Sequence, residues 1–176
     1  MTTAPAVSRD TPPVALLYPE LEAELAVTRA ILSLVPWDDR AAWKPHAKSM
    51  SLGGLASHVA QLPGFLSVMA ATEVLHFTPE AFKPPAIAST DELVAFFDSE
   101  VVKMHAVLAT MSWESLNGSW KMMAGPHAIF DNQRAFLLRH MGINHIVHHR
   151  AQLGVYLRML DIAIPGSYGP SADTKM

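Results

Sequence analysis

The chain has 176 residues, half of them hydrophobic and 16% charged, with a formal net charge of −3 and no cysteine. That length supports one domain with a core of its own, burying roughly 70% of the unfolded surface, and the charge balance offers neither the basic excess that nucleic acid needs nor a basic amphipathic segment for a membrane surface. Without cysteine there is no disulfide, no thiolate metal cage and no nucleophilic thiol of the protein's own, so any thiol chemistry borrows its thiol from a small molecule.

The opening stretch MTTAPAVSRDTPPVALLYPE lacks the cationic start and continuous apolar core of a signal peptide, and no 18-residue apolar run follows, which makes the cytoplasm the expected compartment. Residues 1 to about 13, with Pro5, Pro12 and Pro13, read as a flexible leader, and 14–176 as a single domain. A first helix is expected over about 19–35, where Leu21, Leu25, Thr28, Ile31, Leu32 and Val35 recur at three- and four-residue spacing and Pro36 ends the run. The connection that follows is anchored by Trp37 and Trp43. Ser51 then caps a second helix, about 51–71, whose apolar stripe is Leu55, His58, Leu62, Phe65 and Met69. Pro63 inside it removes the bond to the Val59 carbonyl and bends the helix one turn past His58.

The proline-bearing segment TEVLHFTPEAFKPPAIAS is long enough to cross the molecule, so the second and third helices need not be antiparallel. Ser89 and Glu92 stand at capping-box spacing ahead of a third helix over about 90–111. Turn signals at Asn117-Gly118 and Gly125-Pro126 flank short apolar runs, a pattern compatible with a small hairpin. A fourth helix, about 133–160, runs through the stretch NHIVHHRAQ, and Pro165, Gly166, Gly169 and Pro170 punctuate the tail.

Three histidines in five residues need a reason. At 100° per residue His145 and His149 lie about 40° apart, one turn above the other, and Leu138, Met141, Gln152, Tyr156 and Leu160 share their face. These rings point into the fold, as His58 does from the second helix. Two imidazoles at i and i+4 can converge on one cation, and His145 with His148 is a weaker pair. Burying three imidazoles costs desolvation unless each finds a partner. A divalent metal offers all three a partner and keeps a coordination position open, the arrangement of a catalytic site. His46, His76 and His127 fall in expected loops, His140 points away, and His105 has no evident company. His148 is placed around the site rather than in it. Tyr156 and Gln152 are the candidate substrate-orienting residues. Arg150 projects to the opposite side as a surface or interface ion-pair partner, and no Asp or Glu falls on the inward faces of the second and fourth helices.

His58 within SMSLGGLASHVAQLPG, the downstream NHIVHHRAQLGVYLR and the tail IPGSYGPSAD together resemble the DinB-like (YfiT-like) family of metal-dependent enzymes, over about residues 16–173. The resemblance implies an all-α fold, a four-helix bundle in up-down-down-up order. It also implies a three-histidine site for zinc or nickel, carried here by His58, His145 and His149, and frequent homodimers. Family activities include passing a low-molecular-weight thiol such as bacillithiol, mycothiol or glutathione to an electrophile, and hydrolase or isomerase chemistry. No thiol-recognition domain follows the bundle. The apolar far side of the fourth helix, with Ile143, Val147, Ala151 and Gly154, calls for a cover, which a second subunit, the loop after the third helix or the C-terminal tail can supply.

Three functions follow from these residues. The first is a metalloenzyme that activates water or a small thiol, a hydrolase or thiol S-transferase. The second is a non-catalytic metal-binding or stress-response protein whose coordination sphere is filled by a loop group such as His127 or Asp131. The third is a plain bundle whose histidines are core residues or pH-sensitive contacts.

Overall fold

The computed structural model describes residues 11–78, 80 and 83–174. The expected leader lies outside the described residues up to position 10. Pro13–Leu17 forms a short helix, α1, with proline at a position that needs no backbone N–H. Val14 is buried against the core. Arg139 clasps this segment: its guanidinium bonds Glu20 and the Leu17 carbonyl and lies over the Tyr18 ring.

The first long helix, α2, spans Leu21–Leu32 and is shorter than expected. The chain continues to Val35 through tighter i to i+3 turns, which carry Val35 into the core. Trp37 donates its indole N–H to the Ile87 carbonyl at 2.9 Å, fixing the connection as foreseen. Helix α3, Leu52–Ala71, starts where Ser51 Oγ accepts from the Gly54 N–H and runs unbroken past Pro63. Helix α4, Thr90–Leu108, begins with Ser89 Oγ accepting from the Glu92 N–H, while Glu92 Oε2 reaches back to the Ala88 N–H instead of closing on Ser89. α3 packs against α4, and α2 against α4.

The fold is mostly helical, but the all-α expectation is wrong: a three-stranded sheet stands in the order β1-β2-β3. β1 is Val74–His76, β2 Ser119–Ala124 and β3 His127–Gln133. The hairpin half was legible, and Gly125, at φ +56°, takes the first position of its two-residue turn, where a positive φ is required. β1 was hidden in the segment read as a crossing connection, since three residues cannot declare a period. It pairs parallel to β2, Val74 with Lys121 and His76 with Met123. The sheet folds onto the helices because alternate β2 residues, Trp120 and Met122, are apolar and buried, while Lys121 points out and pairs with Asp131 directly across the ladder at 2.8 Å. Thr72 joins the layers: its hydroxyl accepts from the Trp120 indole and its carbonyl from Arg134. A five-residue helix, α5, Trp113–Asn117, precedes β2.

The expected continuous fourth helix is three pieces: α6 at Arg134–Leu137, a π-helical turn at Leu138–Ile143, and α7 at Asn144–Met159. α7 packs against α2 and α3. Gly142 allows the close approach to α3, because a Cβ there would collide with Leu66. No breaker in the sequence announces the π turn, which ends two residues before His145.

Candidate metal centre

His58 comes from α3, and His145 and His149 from successive turns of α7. The i, i+4 spacing stacks the two α7 rings on one face, and their centroids lie 4.6 Å apart. The His58 ring meets both, at 5.2 Å from His145 and 4.6 Å from His149. Each ring offers a nitrogen within 4.8 Å of the other two, and among the described residues this is the group able to hold a metal ion.

Burial disfavours the charged form of each ring, and the neighbouring imidazoles repel further charge. His58 and His145 are pushed down to about 4 from an ordinary 6.5. His149 is lowered as well, chiefly by burial, with the Gln152 contact opposing the shift. All three rings are therefore neutral at pH 7, the state in which imidazole donates a lone pair.

The chemistry of the donors fits a divalent cation. His58 Nε2 and His145 Nε2 are 3.4 Å apart, against about 3.3 Å between two nitrogens on a tetrahedral zinc with ordinary bond lengths. The outer nitrogens are addressed by glutamines. His149 Nδ1–H donates to Gln152 Oε1 at 2.7 Å, which leaves Nε2 as the lone-pair atom. Gln61 donates its amide to His58 Nδ1 at 3.2 Å, so the His58 proton faces His145. A metal on His58 Nε2 needs that proton on Nδ1, and a half-turn of the Gln61 amide then presents its oxygen to it. His145 Nδ1 is buried with no hydrogen-bond partner: the Met141 carbonyl one turn back favours protonation but does not reach it in bonding geometry.

The other candidates are sorted by the fold. His148 is exposed and touches the outer edge of His149 at 4.7 Å, so the His145–His148 pair is not formed. His127 and Asp131 sit on β3 with Asp131 engaged by Lys121, so neither completes the cluster. His76 and His127 are exposed strand residues rather than loop residues. His105 has company after all, Glu22 at 3.5 Å, and exposed His140 stacks on Phe136. Tyr156 is half-buried with Trp43 edge-on at 5.7 Å. Gln152 holds a histidine, a positioning role.

Arg150 is not the surface or interface ion-pair partner expected: it projects away from the histidines, but inward, at 3% exposure, where it pairs with Glu24 at 2.5 Å. Tyr168 of the tail accepts from Arg150 and donates to Glu24. The apolar far side of the fourth helix is covered within the chain only in part: Ile143 is buried and Ile164 of the tail lies against buried Gly154, while Val147 is half-buried and Ala151 exposed.

Two parts of the site escaped the sequence reading. Gln61 stands three residues after His58 as Gln152 stands three after His149; the repeated His-x-Ala-Gln, HVAQ and HRAQ, was its signal. The second is a cavity of about 520 Å³ bordered by His58 and His145, with Glu100 of α4 in its wall. Glu100 supplies the carboxylate that α3 and α7 lack.

A model of the DinB family matches residues 11–174. A DinB-like protein from Bacillus subtilis superposes with a TM-score of 0.66 at 18% identity, covering 86% of this chain and 96% of that one. Another, from Bacillus cereus ATCC 10987, gives 0.67 at 19% identity, covering 86% and 95%. At these identities the likeness concerns the fold. No curated protein matches the chain. No helix among the described residues is long and apolar enough to cross a membrane.

Proposed function

The chain belongs to the DinB family, and from that premise we propose that it is a metal-dependent enzyme whose His58, His145 and His149 hold a divalent cation, zinc or nickel. The observation that carries this reading is the convergence of three neutral ring nitrogens within 4.8 Å from two helices. A divalent ion on three imidazoles supplies a Lewis acid that makes water or a low-molecular-weight thiol nucleophilic near neutral pH, which covers hydrolase and thiol S-transferase chemistry.

The chain's own residues prepare that chemistry. Gln152 fixes the His149 tautomer and Gln61 addresses His58, so both rings are oriented before any ion arrives. Tyr156, braced by Trp43, is the proposed hydrogen-bond donor to substrate. The cavity beside His58 and His145 favours an enzyme over a storage protein, because a storage site has no use for a pocket of small-molecule size. The same reading assigns the cytoplasm, a homodimer, and four long helices in up-down-down-up order.

The test is a turnover screen of zinc-loaded protein against ester and amide panels and against thiol-plus-electrophile pairs, beside metal-free protein and His149→Ala. The reading expects turnover in the loaded parent and about a hundredfold or greater loss in the variant. A loaded parent no faster than metal-free protein across every panel contradicts it.

A further inference from the structure

The cavity beside the histidines carries a chemistry of its own. Most of its wall is apolar: Phe65 from α3, Phe96 from α4, and Met122 and Phe130 from the sheet. Against that background stands one largely buried carboxylate. Glu100 follows Phe96 by one turn of α4, so the two side chains share a face, and its side chain is 14% exposed. Oε1 accepts from Lys103 at 2.5 Å, whereas Oε2 has no donor among the described residues. α3 makes room for that oxygen, since a Cβ at Gly64 would collide with Oε2. Lys83 also borders the cavity, but it is exposed and water screens its charge.

We propose that this cavity is the substrate pocket and that its substrate is an apolar, ring-bearing amine. The ammonium meets Glu100 Oε2 and the face of Phe96, and the reacting group lies at His58 and His145. A carboxylate oxygen only accepts, so it selects a donor, and a charge-assisted bond to an ammonium is roughly twice as strong as a neutral one. Phenylalanine faces attract the same cation. α3 supplies a ruler: the six residues from His58 to Gly64 rise about 9 Å, the length of one ring with a short linker. The reacting end of this substrate rests on the proposed metal chemistry; the amine end does not.

Isothermal titration of the zinc-loaded protein with 4-phenylbutylamine and 4-phenylbutan-1-ol, equal in body and different in charge, tests the assignment. The amine is expected to bind at least about tenfold more tightly than the alcohol. Glu100→Gln is expected to remove about tenfold or more from the amine and to leave the alcohol within about threefold, a split that general unfolding does not produce. Gly64→Ala, which displaces the carboxylate while keeping it, is expected to weaken the amine in the same sense. His149→Ala, whose side chain does not border the cavity, should lose metal and retain the amine within about twofold. Equal binding of amine and alcohol, equal loss of both in Glu100→Gln, or loss of the amine together with the metal in His149→Ala overturns the amine site. The first two results, with metal retained by the parent, leave the metal centre intact. Loss of turnover with amine binding preserved is the signature of the opposite failure.

Discussion

α7 carries two polar clusters on opposite faces, and they are finished to different degrees. On one face Arg150 meets the Glu24 carboxylate and backbone carbonyl, the Thr28 hydroxyl at 3.4 Å and the Tyr168 hydroxyl at 2.9 Å. No buried side-chain polar atom of that cluster lacks a partner, as a buried ion pair requires. On the other face three imidazoles crowd together, depressed in basicity, with His145 Nδ1 unpartnered and the Nε2 atoms of His58 and His145 3.4 Å apart. The first cluster ties α2, α7 and the tail together and is complete without a ligand. The second leaves interaction energy unspent, which is the condition for binding something.

Breaking the finished cluster should have the largest effect. Arg150→Ala leaves the Glu24 carboxylate buried and unpaired, with an expected loss of about 3–5 kcal/mol in urea unfolding, while zinc bound per folded molecule stays unchanged. The histidine face responds to pH instead. His58 and His145 titrate near 4 in the folded protein against an ordinary 6.5. Between those values the unfolded chain takes up protons that the folded chain refuses. Metal-free protein therefore keeps its full stability above about pH 6.5 and loses it as pH falls towards about 4. Urea midpoints across that range should show the fall, and the double variant His58→Ala, His145→Ala should flatten it.

Smaller changes sharpen the contrast. Gln61→Ala and Gln152→Ala should each weaken zinc about 10- to 100-fold in a chelator competition with little change in unfolding midpoint. On the finished side, Tyr168→Phe removes two hydrogen bonds at the exposed rim and should cost about 1 kcal/mol without moving zinc affinity. A Gln152 variant that unfolds as readily as an Arg150 variant would erase the distinction between the two faces.

The sequence exposed the histidine face because helical periodicity reports which residues share a side, and His145, His149 and His58 each fall on an apolar stripe. It concealed the other face because Glu24, Arg150 and Tyr168 are joined by bonds spanning up to 144 residues, a separation that no local pattern encodes. Gly64 and Glu100 were hidden for the same reason, since the glycine acquires its meaning from a carboxylate on another helix. Tertiary pairing also decided β1, whose three residues gain strand character from β2. Gln61 was readable, because the second His-x-Ala-Gln repeats the spacing of the first.

In the proposed centre, three histidines from α3 and α7 hold one metal ion. The most direct measurement is the metal content of tag-free protein by inductively coupled plasma mass spectrometry, before and after zinc addition and dialysis, beside His58→Ala and His149→Ala of matched helicity. Near-stoichiometric metal in the parent, with clear loss in both variants, is the predicted result. A parent that stays empty after added zinc, or variants that hold metal as well as the parent does, would contradict it.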